Sequence, residues 1–522
     1  MEKESRIKKQ AFLVTLIFFM SRVVGFIREM IIAKIFGRNS LTDAFFAAFT
    51  IPDVMYDLLV TGALSSGFMP VFNEHLAKDD EEGAWKAANT FITVALLFIL
   101  AFNILYFALA KYIIPFVAIG NVKNPDTYNL TVKLTRIMTI SVSFTVCAGL
   151  TMGILNSYKI FIAPALGPVL YNVGIIIGAI ALGKKFGIYG LAFGVILGSM
   201  FNLSVQIPNF LKVGKRFRLE LNLQNKSFRR MLKLMIPAWI GLGVLRINLV
   251  VNQNIASILD EGSITGLRYA QRIMLLPAIF GSGISTTIFP LLNTYVARQE
   301  YKEYKEAILY GIRILLFIII PSTFGLIVLN YPIVRLLFKS GKFTNHDVAV
   351  TAFALAFYSI GIIGQCVSPI LTRSFYALQD TETPVKIGIV IVIFNITLNL
   401  IFVKFSKLAI GGIALTSSLG SIFQCMIAYT ILQKRVGKFN NKRLLTTFVK
   451  VMVSSIVMAL IVKLSYGYIS NILTFSEKIN DLISVSICVF IGVLVYFFMT
   501  LILKVEEVNA FVDIIKRKLS KK

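Results

Sequence analysis

Apolar runs long enough to cross a bilayer as helix, roughly 20 residues each, recur from one end of the chain to the other between short polar stretches. About fourteen are predicted, centred near Phe18, Val54, Ile99, Ser143, Ile175, Val195, Gly243, Phe280, Phe317, Ser359, Val392, Ser418, Met458 and Gly492. They take up most of the 522 residues, so no sizeable soluble domain fits between them. The pattern predicts an all-α polytopic membrane protein. The opening MEKESRIKKQ, followed by Ala11, has the positive start of a secretory leader. The apolar run behind it is too long for one, is broken by charge and lacks a small-residue cleavage site, so a retained first span is expected.

The pattern repeats on a larger scale. GALSSGFMPVFNEHLA (62–77) aligns with SGISTTIFPLLNTYVA (282–297), pairing Ser65 with Ser285, Pro70 with Pro290 and Asn73 with Asn293 at an offset of 220 residues. GLAFGVILGSMF (190–201) aligns with GIALTSSLGSIF (412–423), and Pro164 and Pro384 keep the spacing. The first six spans and the next six are therefore two copies of one unit. An even number of spans per copy makes the repeat parallel, an arrangement common in alternating-access transporters. The expected divisions are an N-lobe at 1–211, a basic linker at 212–229, a C-lobe at 230–433, two further spans within 434–505, and a basic tail at 506–522.

Composition changes this picture little. Mean hydropathy is +0.78, and 57% of residues are hydrophobic. The net charge of +27 first suggests nucleic acid. The lysines and arginines lie in loops, though: Lys3 to Lys9, the KVGKRFR stretch with Lys226, Arg229 and Arg230, the QKRVGK stretch with Lys442 and Arg443, and the terminal KRKLSKK. With fourteen spans all four lie on one side, which the positive-inside bias makes cytoplasmic, with both termini inside. Topology and contact with anionic lipid account for the charge, and no nucleic-acid partner is expected. The four cysteines all fall within apolar spans and read as small core residues.

No enzyme constellation is present. The two histidines, His75 and His346, lack metal-ligand spacing, there is no Walker A motif, and SGKF (340–343) lacks the upstream glycine of a phosphate loop. What remains is charge inside spans. At 100° per residue, Thr15, Ser21, Arg22, Gly25, Arg28 and Glu29 share an arc of about 140° on the first span. A polar arc on a spanning helix faces protein or water. Glu29 can instead neutralise an arginine. In the second copy Arg268 and Arg272 stack at i, i+4, with Pro277 breaking the span. Like charges so placed repel mildly and suit an anion between them. The second span adds Asp43, Asp53 and Asp57, broken by Pro52 and Gly62. Arg136, Arg246 and Arg373 read as interfacial anchors. Converging guanidinium groups fit phosphate or pyrophosphate, carried on a lipid or on a soluble nucleotide.

The blocks FMSRVVGFIREMIIAKIFG, TDAFFAAFTIPD and GALSSGFMPVF resemble the N-terminal signature of the MurJ (MviN) family, within the multidrug/oligosaccharidyl-lipid/polysaccharide exporter superfamily. LNSYKIFIAPALGPVLYN (155–172), GSITGLRYAQRIMLLP and FYALQDTETPVKI (375–387) match it too, and the two extra C-terminal spans suit this family better than twelve-span drug exporters. The resemblance implies a lipid II flippase of the bacterial inner membrane, serving peptidoglycan synthesis and cell shape, with no catalysis and no cofactor. By motif match Arg22, Arg28 and Arg272 would hold the pyrophosphate, with Asp43 pairing with them during the cycle. The extra spans would form a groove for the polyprenyl tail, and cell-wall synthases are conceivable partners. The chain departs from the family with Tyr56 in place of an arginine, Thr61 in place of a glutamate, and Arg268 in place of an aromatic. The expected head-group site therefore comprises Arg22, Gly25, Arg28, Glu29, Asp43, Tyr56, Arg268 and Arg272, with Asp380 and Asn252 as candidates for a coupling cation. The alternatives are a flippase for another polyprenyl-pyrophosphate glycan, a cation-coupled exporter of amphiphiles, or a membrane scaffold.

Overall fold

The computed structural model describes residues 2–405 and 408–508; within it, the side chains of residues 2–9, 11, 61, 63, 238, 240, 241, 244, 245 and 405 are not described. The expected Thr61 departure, the basic N-terminal side chains and the tail from 509 onward thus fall outside the described residues. Every described element is helical. In chain order they are α1 (Glu2–Phe36), α2 (Ser40–Ala77), α3 (Glu81–Val117), α4 (Pro125–Ser157), α5 (Ile162–Phe186), α6 (Ile188–Val213) and α7 (Lys226–Ala256). They continue with α8 (Ser263–Met274), α9 (Ala278–Ala297), α10 (Tyr301–Val328), α11 (Asn330–Phe338), α12 (Asn345–Ala377), α13 (Glu382–Phe405), α14 (Ile410–Val436), α15 (Asn441–Ile472) and α16 (Glu477–Ile502).

Among the described residues eleven helices are long and apolar enough to cross a membrane, or twelve if the bent pair α8–α9 counts as one span. The fourteen expected from the sequence are not reached by this measure. The 35-residue α1 and the 31-residue α7 have spanning length but stand outside that count. The outward residues of the long helices are apolar, as lipid requires: Phe116, Leu464 and Phe490 are all exposed.

The chain divides into two compact units. The first runs up to Thr265 and includes residues 340–343; the second comprises 266–339 and 344 onward. The repeat boundary and the packing boundary fall on opposite sides of α7, because α7 packs on α2 and α3.

Within the first unit, the end of α2 and the starts of α3 and α7 enclose an aromatic core, with Phe68 and Phe72 stacked at 5.2 Å and Trp85 edge-on to Phe72. The helices α5 and α6 cross at glycines. A Cβ on Gly174 would lie 2.3 Å from the Gly198 Cα, and one on Gly178 would lie 2.3 Å from the Gly194 Cα. This is the small-residue spacing that lets backbones meet inside a membrane, where packing rather than hydrophobicity holds helices together.

Both copies of the second span are interrupted, and at matching places. α2 widens over Asp57–Phe68 into π-helical turns, downstream of Pro52. In the second unit the chain bends by 52° between α8 and α9, with Pro277 as the residue before α9. The offset of 220 carries Asp57 onto Pro277.

Candidate functional site

On α1 the polar arc divides into a buried part and an exposed part. Arg28 is buried and Glu29 fully so. Arg28 donates from Nη2 to Glu29 Oε1 at 2.5 Å and from Nη1 to Asn172 Oδ1 on α5 at 2.9 Å. Asn172 donates onward to the Pro168 carbonyl at 2.8 Å. A charge this deep requires a partner and further hydrogen bonds; Glu29 supplies the first and Asn172 the second. Arg28, expected as a direct anion ligand, thus ties α1 to α5, and Glu29 neutralises it. Gly25 does not open space for a ligand. It faces Asn172, whose Nδ2 would stand 3.4 Å from an added Cβ, an ordinary van der Waals contact on the side of α1 turned toward α5. Arg22, less than two turns earlier, is exposed.

Asp43 is also committed elsewhere. It sits in the first turn of α2, 5% exposed. Its carboxylate accepts from the Gly262 N–H at 2.7 Å, the Thr265 N–H at 2.8 Å and the Thr265 hydroxyl at 2.7 Å. These N–H groups lead into and open α8, so Asp43 caps that helix from a distant part of the chain. Arg38 fastens the same turn by donating to the Glu261 carbonyl at 2.9 Å. Gly262 has a φ of +81°, and a side chain there would strike Arg38.

Further along α2, Asp57 is ion-paired with Arg246 of α7. Next to this pair Gly62 lets α7 come close, with Leu242 and Trp239 about 3 Å from where its Cβ would be. Arg246, expected at the interface, is thus a carboxylate partner inside the unit. Asp53 and Tyr56 line a cavity of about 170 Å³, completed by Ser141, Thr145, Tyr171 and Asn202. Arg136 does lie outward, donating to the Phe107 carbonyl and covering the Phe107 ring.

In the second unit Arg268 is half-buried and Arg272 exposed, one turn apart on α8. Tyr269, fully buried, stacks on Phe338 of α11 at 4.7 Å and sets the roll of the helix. Arg373 covers the Phe289 ring. Asp380 is engaged rather than open to an ion. Its Oδ1 accepts from the N–H groups of Glu382 and Thr383, starting α13, and its Oδ2 lies 2.6 Å from Arg435 Nη1. Desolvation pushes its pKa up, yet the Thr383 hydrogen bonds and Arg435 outweigh that and hold the carboxyl below its ordinary value. Asn252, half-buried on α7, belongs to the first unit.

An apolar groove of about 420 Å³ runs along α10, α15 and α16, lined by Phe317, Pro321, Gly325, Met458, Gly492 and Tyr496. Cys488 lines it as well, one of four free cysteines. The Tyr496 hydroxyl donates to the Phe317 carbonyl at 2.6 Å. Ion pairs bracket the groove along the helices. Arg335 of α11 pairs with Asp481 of α16 (Nε to Oδ2, 2.7 Å) and reaches Tyr466 of α15. At the other end Arg313 pairs with Glu507 and donates from Nη2 to Glu506 at 2.7 Å. Sequence patterning missed these partners because each pair is separated by 131 residues or more. Asn172 carried a signal, a lone amide in the run GPVLYNVGIIIG.

One cluster imitates a hydrolase. His75 Nδ1 lies 2.7 Å from Asp80 Oδ2, and its Nε2 2.8 Å from Ser227 Oγ. The N–H groups of Ser227 and Phe228, where an oxyanion would need donors, are taken by Asn225 Oδ1 at 2.9 and 3.1 Å. The cluster ties α2 to the start of α7. Among the described residues no group of three or more His, Cys, Asp or Glu side chains is placed to hold a metal ion.

A duplicated set of membrane-length helices, with arginines set into spans and an apolar groove beside two added helices, defines a polytopic all-helical membrane protein. The fold is shared with a multidrug-resistance MATE transporter of the MOP superfamily, in an inward-facing conformation, which superposes with a TM-score of 0.68 at 15% identity, covering 82% of this chain and 98% of that one. The chain belongs to the lipid II flippase MurJ family, whose model matches residues 32–483. A lipid II flippase MurJ from Burkholderia cenocepacia is 33% identical over 423 residues, covering 80% of this chain and 82% of its relative. A probable lipid II flippase MurJ from Buchnera aphidicola is 30% identical over 95% of this chain and 98% of its own length. A solved lipid II flippase MurJ in an inward closed conformation matches with a TM-score of 0.79 at 29% identity, over 94% of this chain and 98% of that one.

Proposed function

We propose that this chain carries lipid II, the polyprenyl-pyrophosphate-linked peptidoglycan precursor, from the cytoplasmic to the periplasmic leaflet of the bacterial inner membrane, with both termini cytoplasmic. Family membership supports the substrate class. The observation that carries the reading is the exposure of two arginines inside spans: Arg22 and Arg272, each within a helix or bent helix pair of spanning length, are exposed, whereas Arg28 on the same helix as Arg22 is buried. Keeping an arginine in a span costs about 2.5–3.5 kcal/mol on insertion scales, a cost offset when an anion meets it. A guanidinium fork matches pyrophosphate oxygens.

In this reading Arg22 and Arg272 hold the pyrophosphate. Arg28, Glu29 and Asn172 keep the Arg22 helix in place, and Asp43 keeps the start of the Arg272 helix in place. Arg268 supplies a further positive group. The groove along α10, α15 and α16 takes the polyprenyl tail. Transport proceeds by alternating access, and the charges at depth let the membrane potential bias it by about 2.3 kcal/mol per charge per 100 mV. The second reading is a flippase for another polyprenyl-pyrophosphate glycan, favoured by Tyr56 beside Asp53 in the α2 cavity where the family carries an arginine.

The test is reconstitution in vesicles with lipid II, following its exposure on the outer leaflet. The wild-type chain transports, and Arg22→Ala and Arg272→Ala each lose most of that activity. No transport by the wild type, with transport of a different lipid-linked glycan, selects the second reading. Full activity in both variants rejects the arginine site.

A further inference from the structure

At the start of α15 and just past the end of α16, beyond the Arg313 ion pairs that bracket the apolar groove, lies a pocket of about 270 Å³ that the transport reading does not use. It is lined by Asn440, Lys442, Arg443, Thr446, Lys450 and Glu506, together with Thr447 and Val505. Its charges do not cancel. Arg443 donates from Nε and Nη2 to Glu506 Oε2 at 3.0 and 2.6 Å, and Glu506 also accepts from Arg313. Arg313 is itself paired with the buried Glu507. Lys450 donates to the Lys504 carbonyl at 3.0 Å, and Lys442 is exposed. Four cations against two carboxylates leave the cluster with two net positive charges. Apolar surface adjoins it directly: Leu445 and Val449 lie between the two lysines on α15, at 62% and 50% exposure, and Leu501 and Ile502 close α16 and are exposed. The helix ends put this pocket where acyl chains give way to head groups.

We propose that this pocket binds the head group of an anionic glycerophospholipid, with its phosphate against Lys442 and Lys450 and its acyl chains along Leu445, Val449 and Leu501. Basic pockets between spanning helices on the positively biased side take such head groups. A single-charge phosphodiester matches the cluster better than a pyrophosphate. The guanidinium forks are already occupied by Glu506, and what faces the pocket are ammonium groups, which act as point charges without forked geometry. Bound there, the lipid bridges the start of α15 to the end of α16. The site is distinct from the arginines assigned to the transported anion, so its failure leaves the transport reading untouched.

Native mass spectrometry of the purified full-length chain, titrated separately with phosphatidylglycerol, phosphatidylcholine and undecaprenyl phosphate, tests this. One phosphatidylglycerol binds the wild type more tightly than phosphatidylcholine does. Its apparent Kd rises about fivefold for each of Lys442→Ala and Lys450→Ala, near 1 kcal/mol per lysine. The double Lys→Arg variant retains binding, which separates lost charge from lost fold, and Lys233→Ala on α7 leaves binding unchanged. Equal binding of the two phospholipids overturns the proposal. So does phosphatidylglycerol binding that ignores both lysines, or lysine-dependent binding confined to undecaprenyl phosphate.

Discussion

Asp43 and Thr265 meet twice: one carboxylate oxygen of Asp43 accepts both the backbone N–H and the hydroxyl of Thr265, at 2.8 and 2.7 Å. The other oxygen takes the Gly262 N–H. A single buried side chain on α2 thereby replaces the local cap that α8 would otherwise draw from its own sequence. Asp43→Ala strands three buried donors, two N–H groups and a hydroxyl, each costing about 1–3 kcal/mol. The variant melts several degrees lower in a thermal unfolding scan in detergent, and lipid II transport falls with it. Asp43→Asn, which keeps one acceptor oxygen, lies between the two. A melt for Asp43→Ala identical to wild type contradicts the capping role.

The buried and exposed arginines of α1 are separable by measurement. Glu29→Ala leaves Arg28 charged and unpaired in the interior, a loss of about 3–5 kcal/mol for a broken buried pair. Its folded yield and melting temperature drop sharply. Asn172→Ala does the same more mildly. Arg22→Ala, which removes an exposed side chain, keeps the wild-type melt and loses transport. Scans and flux assays on the three variants, read together, distinguish scaffold from site; a destabilised Arg22→Ala shows that Arg22 belongs to the scaffold.

Filling the groove along α10, α15 and α16 discriminates by tail length. Gly492→Phe puts a ring where Met458 and Val462 now face a hydrogen. Transport of the full-length polyprenyl substrate drops severalfold, while a short-chain analogue is carried at the wild-type rate. Equal loss for both substrates points to a packing defect instead.

Glu506 gives a pH dependence of known sign. Hydrogen bonds from Arg443, and then from Arg313, hold its carboxyl below the ordinary glutamate value of 4.5. A carboxylate depressed in the folded state contributes stability that is complete above the unfolded value and is lost as pH falls through the folded one. The melting temperature of the wild type therefore declines below about pH 4.5 more steeply than that of Glu506→Gln. Coincident curves for the two proteins refute the coupling.

The helices were legible because membrane spans are written in one dimension. Length and apolarity alone place α3, α4, α10, α15 and α16, and the repeat pairs Pro70 with Pro290. The polar arc of α1 was legible too, since an ideal helix fixes the angles. Which member of the arc faces inward was not. Arg22 and Arg28 are chemically alike, and only Asn172, 144 positions away from Arg28, tells them apart. For Asp43 the resemblance implied pairing with arginines during the cycle; the contacts it makes here, to backbone N–H groups at a helix start, are invisible in a sequence. Gly25, expected in the head-group site, faces Asn172 of a neighbouring helix instead.

The paired interruptions of the second span reach back in time. A helix can acquire a break in either copy by independent change, but a break carried at one offset, from Asp57 to Pro277, is most simply inherited. The half-length ancestor already had a jointed second helix before its gene was duplicated. The two copies have since elaborated that joint differently, as widened turns in one and a proline corner in the other.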